Sequence, residues 1–357
     1  MTSRKAAKQL RHCKLIIQKL RAINFLSAKT RQACNKQLNC YVELARIVKL
    51  KNSFSTAMAI ITVTTVTGNA AVLKALTKVR RVPTHYPMMS LATADLLVGL
   101  FVLPIAAARE LFAFNLYWAI CSCWSTLDVL SCTASIFSLC VLGWERWAGI
   151  TAPFAKAKRA KRAKIFAVLI WPIAASVAIP TALIPSPKHY VPGEIAKACT
   201  VNTNIGYVFF SSSFSFYIPA GVMLTLYGCI LRALASTPQI RCHRGGSPCS
   251  SPKTVGKYMG GVITRQRRAT VTIVLLMSLF LFCWTPFFVM LAADSICECV
   301  TDTTWQWCTW LGYANSALNP LVYAASSPSV GRALQASLTS TSSAKTDVPA
   351  SPNTRKT

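Results

Sequence analysis

The chain has 357 residues, of which 53% are hydrophobic and only 14% charged, well below the roughly one-quarter charged share of soluble domains. Its 39 Lys and Arg against 10 Asp and Glu would suit a nucleic-acid binder, but the basic residues cluster between long apolar runs. With no RNA-binding or zinc-finger spacing in the chain, nucleic acid is not an expected partner; a membrane protein is the expected class.

The first 54 residues hold 13 Lys and Arg and one acid, Glu43. The stretch 10–26 suits either a basic amphipathic helix on a membrane surface or an unstructured tail. Seven apolar runs follow, at 55–77, 86–107, 117–143, 165–184, 206–231, 270–293 and 305–324. Each has about 20 residues or more, enough to cross ~30 Å of hydrocarbon as a helix. Lipid offers no partner to backbone polar groups, so such runs must be helical. The expected fold is an all-α membrane protein, a seven-transmembrane-helix bundle. Residues 1–54 form a basic N-terminal tail, 55–324 the bundle, and 325–357 a short Ser/Thr-rich cytoplasmic tail.

Lys and Arg crowd the segments after runs one, three and five and the C-terminal tail. The other connections carry only Arg109, Lys188 and Lys197. The positive-inside rule places the first group in the cytoplasm and the N-terminus outside, although Lys49 and Lys51 beside the first run oppose export of the tail.

Two acids fall deep inside runs, Asp95 and Asp128. A charge there costs about 2.5–3.5 kcal/mol on insertion scales and calls for a partner or a function. Asp128 lies about two turns inside Cys121, near the outer end of the third run, with Cys132 and Ser135 on its face. No Lys or Arg is seen in the outer halves of the other runs to neutralise it, so the expected partner is an external cation such as a protonated amine. In the fifth run Ser211 and Ser215 share a face, with Ser212 slightly off it. In the sixth, Phe280, Trp284 and Phe288 recur every four residues beside Phe287, and Pro286 kinks the helix. Such rings can hold an ammonium over their faces. In the seventh, Asn315, Ser316 and Asn319 gather beside Pro320. With Asp95 and Ser135 they either bind a small cation such as sodium or form a hydrogen-bonded plug with water. Glu145 and Arg146, at the inner end of the third run, read as a surface pair at a helix end. Cys121 and Cys199 lie in outer segments, where a disulfide persists; Cys123 is a rival partner, and Cys297 and Cys299 are placed to pair locally. No His joins these cysteines at metal-ligand spacing, and no cofactor is implied.

Taken in order, Gly68-Asn69, Asp95 in LATADLLVG, Asp128 in LDVLSCTASIFSLC, Glu145-Arg146-Trp147, Trp171 with Pro180, Ser211, Ser212, Ser215, Pro219 and Tyr227, Cys283-Trp284-Thr285-Pro286-Phe287-Phe288, and Asn319-Pro320-Leu321-Val322-Tyr323 resemble the motifs of rhodopsin-like G-protein-coupled receptors of the biogenic-amine branch. The resemblance covers about residues 60–335 and is nearest to dopamine, octopamine and adrenergic receptors; RCHRGG, SICECV and CTWLGY are similar to segments of invertebrate dopamine receptors. It implies a plasma-membrane, multi-pass receptor, not an enzyme, with a small amine ligand, a heterotrimeric G protein and membrane lipid as partners. A catecholamine or phenolamine is the implied ligand, with a serotonin-type amine as the alternative.

The resemblance also assigns roles. Asp128 anchors the amine, supported by Tyr313 and flanked by Val129 and Cys132. Trp284, Phe287 and Phe288 hold its ring, and Ser211, Ser212 and Ser215 meet its hydroxyls. Glu145, Arg146, Tyr227, Pro286, Asn319, Pro320 and Tyr323 serve activation and G-protein coupling. Asp95, Ser135, Asn315, Ser316 and Asn319 hold sodium. Cys121 pairs with Cys199. The sequence departs from the pattern at Trp144 and Trp147, at Gln266, where many relatives have a glutamate that pairs with the arginine, and after Tyr323, where Pro328 and Gly331 break the expected eighth helix. These departures suggest raised basal signalling, or a receptor-derived protein with impaired signalling. A transporter or channel would show internal repeats, which the chain lacks. A membrane enzyme would need a nucleophile with a base or a metal cluster in the bundle.

Overall fold

The computed structural model describes residues 40–79, 81–111, 118–152, 154–184, 204–236, 253–297, 299–326 and 331. Among them are seven long helices and no strand. They are α1 (Cys40–Lys78), α2 (His85–Leu97 and Leu103–Leu111 joined by a π turn, Val98–Val102), α3 (Trp118–Thr151), α4 (Lys156–Ala178, then Pro180–Leu183), α5 (Ile205–Ser212, a π turn over Ser213–Tyr217, then Ile218–Ser236), α6 (Lys253–Cys297) and α7 (Asp302–Ser326). Six are long and apolar enough to cross a membrane unaided. The exception, α7, carries Gln306, Asn315, Ser316 and Asn319, and packs between α1 and α6. Its polar side is therefore covered by protein rather than lipid.

The bundle is apolar on both surfaces. Leu91, Ile136, Leu139, Leu142, Met223, Leu276 and Phe280 are sealed between helices, while Ile60, Val63, Val168, Leu224, Phe282 and Leu321 point outward. Outward-facing aliphatic and aromatic side chains suit a hydrocarbon solvent, where exposure of apolar surface costs nothing.

Prolines shape the helices. Both π turns end two residues before one, Pro104 in α2 and Pro219 in α5. A proline ring removes one backbone donor and crowds the preceding turn, and a wider turn relieves the crowding. In α7, Pro320 leaves the carbonyl of Ser316 without its usual donor. Asn69 Nδ2 on α1 donates to that carbonyl at 3.0 Å. Gly68 makes the approach possible: a Cβ there would sit 2.8 Å from the Pro320 ring. The Gly-Asn pair of α1 thus exists to receive the proline of α7.

Two expectations are corrected, on Arg109 and Glu145. The second helix continues to Leu111, so Arg109 is part of α2 rather than of a loop. A further buried acid, which the sequence reading did not single out, is Asp294 in α6, 1% exposed; it accepts from Val300 N at 3.1 Å and Trp305 Nε1 at 3.2 Å, pinning the turn into α7. Glu145 is not a surface residue: it is also 1% exposed. Its partner is Arg159 of α4, at 2.6 Å, rather than its neighbour Arg146. Successive residues on a helix point in different directions, and Gly149 leaves the room Arg159 occupies.

Candidate functional site

On α3, Asp128 is half-buried. Its Oδ2 accepts from the Tyr313 hydroxyl of α7 at 2.9 Å, and its Oδ1 from the Cys132 thiol at 3.5 Å. From Tyr313 the contacts run on through rings. Tyr313 meets the Trp284 ring at 6.3 Å, Trp284 meets Phe288 at 6.0 Å, and Phe288 stacks on Phe216 of α5 at 4.4 Å. Beside Phe216, Ser215 accepts from Thr133 of α3 at 3.0 Å. The contacts α3–α7–α6–α5–α3 therefore form a closed circuit that runs from an acid through rings to hydroxyls. Val129 is half-buried next to Asp128. Phe287 packs edge-on against Trp284 at 5.6 Å and against Trp305 at 6.0 Å.

The serines are placed differently from the expectation. The π turn begins at Ser213, so the four-residue spacing of Ser211 and Ser215 no longer sets a common face. All three are buried, and Ser212, expected slightly off the face, is the most enclosed at 1%. Its hydroxyl has no hydrogen-bond partner among the described residues, whereas Ser215 already has Thr133. A buried hydroxyl without a partner is uncommon in proteins, which gives Ser212 an unused bond to offer.

Gly312 explains how Trp284 reaches α7: a Cβ there would lie 2.9 Å from the indole. Sequence reasoning passed over Phe216, Thr133, Gly312, Trp305, Trp124 and Arg109. Only Trp124, one turn before Asp128, carried a usable signal, its helical spacing.

Deeper in the bundle, Asp95 is fully buried. Oδ1 accepts from Ser135 at 3.2 Å and Ser316 at 2.8 Å, and Oδ2 from Asn319 at 2.7 Å. The side-chain oxygens of Asn315 and Asn319 are buried without partners. Ser135, Ser316 and Asn319 thus gather oxygen-bearing side chains around one carboxylate, the donor chemistry of a hard cation. Water molecules at the same orphan oxygens would satisfy them too.

Toward the cytoplasm, Arg146 Nε donates to the Thr270 hydroxyl of α6 at 2.7 Å. Tyr323 is fully buried and Tyr227 exposed. Pro286 is half-buried and Pro320 buried. Gln266 lies in α6, its side chain outside the described residues. Cys121 is disulfide-bonded; Cys199 lies outside the described residues, as does the segment after Ser326 apart from Gly331. Cys297 and Cys299 are joined to each other.

Comparison with known proteins fits this architecture. A model of the 7 transmembrane receptor (rhodopsin family) matches residues 68–323. The 5-hydroxytryptamine receptor 1D of Oryctolagus cuniculus is 31% identical over 77% of this chain and 85% of its own length. The D(1)-like dopamine receptor of Oreochromis mossambicus is 31% identical over 75% and 74%. The 5-hydroxytryptamine receptor 7 of Xenopus laevis is 28% identical over 82% and 76%.

Proposed function

The chain belongs to the rhodopsin family of seven-transmembrane receptors, in its biogenic-amine branch, and we propose that its ligand is an aromatic monoamine carrying a ring hydroxyl. Relatives named for serotonin and for dopamine are equally similar, so the ring is read from the pocket rather than from them. One observation carries the reading: the Asp128 carboxylate is oriented by Tyr313, which leads through Trp284 and Phe288 to Phe216 on α5, the helix on which Ser212 keeps a buried, unpartnered hydroxyl. The ammonium forms a charge-assisted hydrogen bond to Asp128. Its ring packs on Trp284, Phe287 and Phe288, and its hydroxyl pairs with Ser212, with Ser211 alongside.

Bound ligand would favour an arrangement in which α6 swings outward at its inner end. Trp284 sits against both the ligand floor and Gly312 of α7, next to the Pro286 kink, so it couples the pocket to that motion. Outward movement separates Thr270 from Arg146 and opens a cytoplasmic cleft for a heterotrimeric G protein at the plasma membrane. Asp95 with Ser135, Asn315, Ser316 and Asn319 would hold sodium in the resting arrangement.

The test is a panel of serotonin, dopamine, octopamine, tyramine, adrenaline and histamine on cells expressing the receptor, reading second messengers. Asp128→Asn is expected to abolish the response to every active amine, and Ser212→Ala to weaken only ring-hydroxylated ones. Unchanged potency in Asp128→Asn overturns the pocket. Amine binding without any second-messenger response points to a receptor that has lost its output.

A further inference from the structure

Arg109 occupies a place that an amine pocket does not require. Near the outer end of α2, its guanidinium lies over the Trp124 ring, 4.9 Å from the centroid. Trp124 is itself fixed: it is 7% exposed and donates from Nε1 to the Val102 carbonyl, in the π turn of α2, at 3.1 Å. It precedes Asp128 by four residues on one helix face, about 6 Å further out.

The guanidinium is near enough to interact electrostatically with Asp128 and Tyr313, yet among the described residues no carboxylate comes within ion-pair distance of it. The adjacent acid, Glu110, is engaged with Gln306 of α7 at 2.7 Å. A half-buried guanidinium has five donors in a planar fork suited to a carboxylate. Here it is held on an aromatic shelf one turn above the amine anchor.

We propose that Arg109 and Trp124 form an anion-accepting subsite beside Asp128, so that the receptor takes aromatic ligands bearing an acidic group next to the ammonium, the chemistry of an aromatic amino acid. The proposal rests on Asp128 being the ammonium site. For a plain monoamine Arg109 offers nothing and its positive charge opposes the ammonium. For a zwitterion it supplies the second half of the recognition, and the two charges of the ligand meet two opposite charges of the protein.

The experiment measures binding to full-length receptor with probe pairs that differ only by a carboxylate: tyramine and tyrosine, dopamine and 3,4-dihydroxyphenylalanine, serotonin and 5-hydroxytryptophan. In at least one pair the carboxylated member is expected to bind. Arg109→Gln should weaken that member by on the order of tenfold or more, the worth of one charge-assisted hydrogen bond, while the amine's affinity holds or rises. Arg109→Lys should fall between. The amine's affinity in the same preparation reports that the variant is folded. Amines that bind while every carboxylated counterpart fails overturn the subsite and leave the amine site standing, as does an equal change for both members of a pair. If amines bind as well to Asp128→Asn as to the parent receptor, the amine site itself fails and the subsite falls with it.

Discussion

Replacing Thr270 with Val keeps the branched shape and removes the hydroxyl that accepts from Arg146 Nε at 2.7 Å. Thr270 is 2% exposed, so water cannot readily take over. A hydrogen bond to a charged group contributes about 1.5–3 kcal/mol net. This one joins α3 to α6, and an outward swing of α6 breaks it, so its loss penalises only the resting arrangement. If the active arrangement holds about 1% of the unliganded receptor, removing about 1.5 kcal/mol raises it to roughly a tenth. Ligand-independent second-messenger output, divided by receptor number at the cell surface, should therefore rise about tenfold in Thr270→Val with the maximal agonist response unchanged. Gln266→Glu, which places at this position the glutamate that many relatives pair with the arginine, should lower basal output. Basal output of Thr270→Val within twofold of the parent refutes the view that this contact holds the resting state.

Gly312→Ala places a methyl 2.9 Å from the Trp284 indole; overpacking of this kind costs about 1–3 kcal/mol, and amine potency should drop while surface expression persists. Asn69→Ala leaves the Ser316 carbonyl without a donor. That costs about 1–3 kcal/mol, read as a lower thermal unfolding temperature of purified receptor; no shift would mean water has taken the asparagine's place. Arg159→Ala strands the Glu145 carboxylate inside the protein. Losing one member of a buried pair costs about 3–5 kcal/mol, so thermal stability should fall sharply, and Glu145→Gln added to it should recover much of the loss.

The number of spans, the positions of Asp95 and Asp128, and the prolines of α5, α6 and α7 were legible in the chain itself, because hydrocarbon demands long apolar helices and punishes every exception to them. Asp128 stood out as a costly charge, and helical spacing alone put Cys132 on its face. Partnerships between helices were not legible. Nothing in the spacing of Glu145 and Arg146 says that the acid turns to Arg159 and the base to Thr270. That choice depends on which helices lie alongside, and on Gly149 leaving space. Ser211 and Ser215 read as one α-helical face with Ser212 slightly off it, but the π turn before Pro219 shifts the register between them, and Ser215 meets Thr133. Arg109 looked like a loop residue because the apolar run ends before it, while the helix does not. Local sequence determined where each helix had to be buried in lipid. Only the packed bundle decided which polar groups meet, since hydrogen bonds and ion pairs form over a few ångströms across helices far apart in the chain.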